Sequence, residues 1–105
     1  MGGGSWIMAK GDIVNDVQEI GNGGSLIYQP ASGVEVIIFG VGMLNDSNAT
    51  VKLFNGSEET AVCEGKQTAN NAGVTKLGLT NTNYLKLQNN IGSTAGLGFT
   101  GIQTK

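Results

Sequence analysis

The chain has 105 residues and a formal net charge of -2, with six lysines, no arginine and no histidine. That length supports one hydrophobic core but not two, so a single domain is expected. Acid in excess and the absence of arginine argue against nucleic acid as a partner, because the forked contacts to bases and phosphates come from arginine.

No apolar run approaches the roughly 20 residues that cross a bilayer, which argues against a membrane as a partner too. A single cysteine, Cys63, leaves no intramolecular disulfide. Eighteen glycines alongside many Asn, Ser and Thr residues suit a β-protein with frequent turns. Residues 1–7, "MGGGSWI", read as a flexible leader of the kind appended for expression, with Met8 as the natural initiator. The β-domain is then expected over residues 8–105.

From Asp12 onward, short apolar segments recur every 8 to 14 residues between turn-forming clusters, the spacing of antiparallel strands in a sandwich or barrel. The first strand is "IVNDVQEI" (13–20), followed by a turn at "GNGG" (21–24). "SLIYQP" (25–30) ends at Pro30, which has no amide hydrogen for a ladder. "ASG" (31–33) turns the chain into the most apolar strand, 34–42. "NDSN" (45–48) is the next turn, and "TVKLF" (50–54) alternates with Val51 and Leu53 inward and Lys52 outward.

Asn-Gly at 55–56 signals a hairpin into "ETAVCE" (59–64). Residues 65–73 lack an apolar pattern and read as a loop. "VTKLGLT" (74–80) and "NYLKLQN" (83–89) alternate again, the latter with Leu85 and Leu87 inward. The last strand, "AGLGFTGIQT" (95–104), sets Leu97 and Phe99 on one face between small residues. Eight strands without a helical period predict an all-β fold, a jelly-roll-like antiparallel β-sandwich, with a small eight-stranded barrel as the alternative.

Strand 34–43 raises a question. Alternation puts Val34, Val36 and Ile38 on one face and Ile37, Phe39, Val41 and Met43 on the other, so both faces are apolar. Either the chain itself covers the second face, as a central strand under a loop such as 65–73, or another copy does. In the latter case Ile37, Phe39, Val41 and Met43 form a subunit interface, each burial contributing roughly 1.5–3 kcal/mol before the costs of association. Glycines at 40 and 42, and those alternating in 95–101, leave room for close approach of a second sheet or subunit.

Chemistry is sparse. Without histidine the usual proton carrier is missing, and Glu58, Glu59 and Glu64 read as surface charges rather than a catalytic pair. Cys63 has no neighbouring histidine or arginine to activate it and reads as a small core residue. One cysteine cannot build a structural zinc site, and Asn45, Asp46 and Asn48 supply too few carboxylates for an ordinary calcium loop. Asn45, Asn48 and Asn55 match the glycosylation pattern, which matters only in a secretory context. The expectation is a protein with no cofactor and no enzymatic activity.

The segment "GNGGSLIYQPASGVEVIIFGVG" (21–42) resembles the opening of small phage structural proteins, which carry a "gssltiqPasG-E" pattern followed by an apolar strand. "NYLKLQNNIGSTAGLGFTGIQTK" (83–105) resembles their close, where "yLrl-N" precedes an aromatic-Gly-Val-Gln tail. Here that tail is Phe99, Gly101, Ile102 and Gln103, with Thr100 interposed. The resemblance implies a virion component, a capsid decoration protein or a small head or tail protein. It would work as a homo-oligomer, dimer or trimer, that docks on other virion proteins. The alternative is a carbohydrate-binding module or adhesin, with Asn81, Asn83 and Tyr84 in "NTNYL" as the sugar contacts.

Overall fold

The computed structural model describes residues 9–66 and 76–105. The leader, most of the loop read at 65–73 and the start of the strand read at 74–80 lie outside the described residues. Eight strands are present: β1 (Ile13–Ile20), β2 (Ser25–Tyr28), β3 (Val36–Gly42), β4 (Ala49–Phe54), β5 (Glu59–Glu64), β6 (Leu77–Leu79), β7 (Tyr84–Asn89) and β8 (Ala95–Gln103). Each falls on a segment whose apolar alternation marks it as a strand. Among the described residues helical backbone is confined to Gly65 and Lys66.

The strands form two antiparallel sheets. Sheet A runs β1-β8-β3-β6 and sheet B runs β2-β7-β4-β5. The pairings nest: β1 with β8, β2 with β7, β3 with β6, and β4 with β5. A long antiparallel ribbon folded in this way, with successive pairs placed in alternate sheets, is a jelly roll. The sheets stay open at β1 and β6 on one side and at β2 and β5 on the other, so the molecule is a sandwich and not a barrel.

One face of each strand supplies the core. Val36 and Ile38 from β3, Leu97 and Phe99 from β8, and Val14 and Ile20 from β1 meet Leu26, Val51, Cys63, Leu85 and Leu87 from sheet B. The Tyr28 ring crosses the gap and lies 4.9 Å from that of Phe99. Only β4 and β5 are joined as a tight hairpin within one sheet. There the Asn55 side chain accepts hydrogen bonds from the Ser57 and Glu58 amides, at 2.9 and 2.7 Å, and Gly56 takes the left-handed φ of 92° that the turn requires.

Strand β3 does not alternate from end to end. Ile38 pairs with Gly101 and Gly40 pairs with Thr100, leaving Phe39 as an extra residue, a β-bulge. Phe39 and Gly40 therefore both lie opposite the outward Thr100, and the alternation restarts one residue out of phase. Val41 now pairs with the core residue Phe99, and Val41 and Met43 pack against the core. The four residues expected on one outer face are thus divided. Ile37 and Phe39 face outward, whereas Val41 and Met43 turn inward.

A buried amide closes one end of the sandwich. Asn89 is fully buried, and its side-chain nitrogen donates to the carbonyls of Ile20 and Ser93, each at 2.8 Å. Its side-chain oxygen accepts from the Ile91 amide at 3.1 Å. One side chain so joins the end of β1 to the turn between β7 and β8. Substituting Asn89→Ala should lower stability by roughly 2–3 kcal/mol, because it strands the Ile20 and Ser93 carbonyls and the Ile91 amide. Urea denaturation measures this, and a loss below about 0.5 kcal/mol would show that the amide is dispensable.

Candidate functional site

The outer faces of the two sheets are unlike each other. On sheet B the outward side chains of β4, β5 and β7 form a charged network. Lys52 and Lys86 both donate to the Glu59 carboxylate, Lys86 at 2.7 Å, and Lys52 also reaches Gln88 at 2.6 Å. The Lys86 ammonium sits 4.7 Å above the centre of the Phe54 ring, and Tyr84 meets that ring edge-on at 5.6 Å. Charges are paired and aromatics used in packing at the centre of this face, with Ile27 of β2 and Val62 of β5 exposed on the same sheet.

On sheet A the ladder register places the outward residues in rows across the strands. Ile13, Ile102, Ile37 and Gly78 form the first row. Asn15, Thr100 and the Phe39–Gly40 bulge form the second, and Val17, Gly98 and Gly42 the third. Glu19 and Gly96 follow at one end, while Glu35, paired with Lys105 at 3.9 Å, stands at the other. Between those ends the rows of β1, β8 and β3 carry no outward charge, while the exposed Lys76 immediately precedes β6 beside the Phe39 bulge. Val17 is 78% exposed, Ile13 58% and Phe39 49%. A shallow apolar trough of about 520 Å³ runs over Gly40, Gly42, Gly96 and Gly98, bordered by Val17 and Thr100.

The β1 edge of this sheet is closed to strand addition at its middle. Asp16 accepts a hydrogen bond from the Val17 amide at 2.9 Å through one carboxylate oxygen and from the Gln18 side chain at 2.7 Å through the other. A carboxylate held against the backbone of an edge strand is one of the devices by which β-proteins avoid edge-to-edge pairing. What sheet A offers to another molecule is its face.

The other candidate residues are used by the fold. Tyr84 is 8% exposed, with its ring against Phe54, so it presents almost no surface for a pyranose to stack on. The Asn81 side chain donates to the Pro30 carbonyl at 2.9 Å and its own carbonyl accepts from Gln29 at 2.8 Å, tying two loops together. The Asn83 backbone pairs with Thr80, at 2.8 and 3.1 Å, and Asn83 borders a depression shared with Phe54, Asn55 and Glu59.

In the 45–48 turn, Asp46 spends its carboxylate on the Asn48 amide at 2.7 Å. Among the described residues no three His, Cys, Asp or Glu side chains gather as a metal site. Cys63 lies in the core. No helix of the described residues is long and apolar enough to cross a membrane.

The sheet B network has a pH signature. Hydrogen bonds from Lys52 and then Lys86 lower the Glu59 carboxyl from 4.5 to about 2. A group with a depressed folded value stabilises the native state at pH above its unfolded value and loses that contribution as pH falls through the folded one. Stability owed to Glu59 is therefore complete above about pH 4.5 and disappears toward pH 2. The Glu59→Gln variant should show a shallower fall in melting temperature across that window than the parent. Identical slopes would mean that the network contributes nothing to acid sensitivity. Comparison with known proteins gave no match to a family model, to a curated protein sequence or to a solved structure.

Proposed function

We propose that this chain is a non-enzymatic structural protein of a phage particle, a capsid decoration protein or a small head or tail component, acting through self-association and contacts with other virion proteins. The observation that carries this reading is the outer face of sheet A. Its apolar side chains stand over a floor of glycines, with charges at the two ends and at the β6 margin, where Lys76 is exposed. An uncharged centre within a polar rim is the anatomy of a protein–protein contact. Surface of that kind costs solubility unless it is used.

Two further features support the reading. The jelly roll is an architecture that viral capsid proteins share with lectins, an argument by analogy of fold alone. The sequence likeness of residues 21–42 and 83–105 to small phage structural proteins selects the first of these. The lectin side is the weaker one, since Tyr84, the aromatic residue best placed for a sugar, is buried against Phe54.

Purified phage particles from a lysate of the encoding strain provide the test. Gold-labelled antibody against this chain should decorate the particles at a regular set of positions. Particles that carry none of the chain, with all of it in the free fraction, would overturn the assignment.

A further inference from the structure

We infer that the outer face of sheet A packs on the same face of a second copy, about a two-fold axis running along β8. This deepens the reading of that face as a docking surface and rests on it. The exposed Ile13, Val17 and Phe39 with the half-buried Ile37 and Ile102 define the surface, and its shape defines the occupant. In the third row the bulky residue, Val17, lies on β1 and the empty positions, Gly98 and Gly42, lie on β8 and β3. Rotation about β8 exchanges the flanking strands. It sets Val17 of each copy over Gly42 of the other, and Ile13 over Ile37. The strand on the axis carries Gly96 and Gly98 outward, so the two sheets can approach closely where they meet. A contact of this kind is isologous, the same patch serving both partners.

The glycines of this face are not all explained by the chain's own packing. A methyl group on Gly98 would strike the Val17 side chain at 2.8 Å and the Asp16 carbonyl at 2.9 Å, so Gly98 is required internally. At Gly42, Gly78 and Gly96 it would meet nothing within 4 Å, and none of the three has a positive φ. Glycine weakens a strand, and nothing among the described residues repays it at those positions. A second sheet lying over Gly42 and Gly96 does.

Size and charge agree with a second copy. Three strands overlap about that axis, and eight residues by three strands measure about 27 by 14 Å, roughly 400 Å² in projection on each copy. A pair therefore covers roughly 800 Å², the size of a weak, transient contact, which gives a dimer that dissociates on dilution. A partner of opposite charge has nothing to recognise in the centre of this face. Addition of a strand is opposed by Asp16 at the β1 edge.

Sedimentation equilibrium of the full chain over a wide concentration range tests the inference. The parent should be a dimer at high concentration and dissociate on dilution. Val17→Lys and Gly42→Glu should each weaken dimerisation at least tenfold, with far-UV circular dichroism unchanged, because Val17 is exposed and the space above Gly42 is open. The double variant, which places lysine over glutamate twice across the axis, should recover dimerisation in low salt and lose it in high salt. A parent that stays monomeric or forms a trimer would overturn the inference, as would single variants that dimerise like the parent. A chain found on phage particles yet monomeric in solution would sink the two-fold contact alone. A dimer absent from particles would sink the virion assignment alone.

Discussion

Strand β8 is paired along its length, by β1 on one side and by β3 on the other, and its alternation defines both faces of sheet A. Leu97 and Phe99 point into the core, while Gly96, Gly98 and Thr100 point out. Because β8 carries glycine at two of its four outward positions, with Thr100 and Ile102 at the others, much of the character of the outer face is set by its neighbours. Ile13 and Val17 of β1 lean over the glycines from one side, and Ile37 and Phe39 of β3 stand on the other. The core depends on the same strand, since Leu97 and Phe99 belong to it, Phe99 pairing with Val41 within sheet A and meeting the Tyr28 ring of sheet B.

The division of labour between the two outer faces follows from how few charges the chain carries. Charged residues make up 13% of it, well below the usual quarter. Sheet B gathers Lys52, Lys86, Glu59 and Glu64 on its outer surface, and the first three bond to one another. That concentration leaves the centre of sheet A without charge. A mixed distribution would have made two ordinary wet surfaces. The segregation seen here gives one surface that water solvates well and one that a protein surface would solvate better.

Much of this was readable from residue types. The existence of eight strands followed from alternation and turn chemistry, and the Asn55-Gly56 hairpin from the one turn that demands a left-handed residue. The inward placement of Val51, Leu53, Leu85, Leu87, Leu97 and Phe99 followed from period two. The partition of Ile37, Phe39, Val41 and Met43 did not, because a single extra residue reverses the phase of everything after it. Its signal was present, since a glycine inside a strand, here Gly40, often accompanies a bulge. The contribution of β1 to the face was also hidden. "IVNDVQEI" has apolar residues on both phases, and only the ladder to β8 decides that Ile13 and Val17 are the outward pair. The nested pairing itself is a long-range property that local pattern does not encode.

That nesting has a consequence for synthesis. The eighth strand is synthesised after the other seven and lies between β1 and β3, so sheet A has no continuous form until residues 95–103 are available. Seven strands emerge before the fold can close, and the pairing of β1 with β8 spans nearly the whole chain. Folding of this domain is therefore held back until residues 95–103 have emerged, and long-range pairing of this kind is slow. A chain cut short before residue 95 keeps β1 and β3 with unpaired edges and cannot build the outer face. The outer face is thus a property of the whole nested set of strands, present only when β8 is in place between β1 and β3.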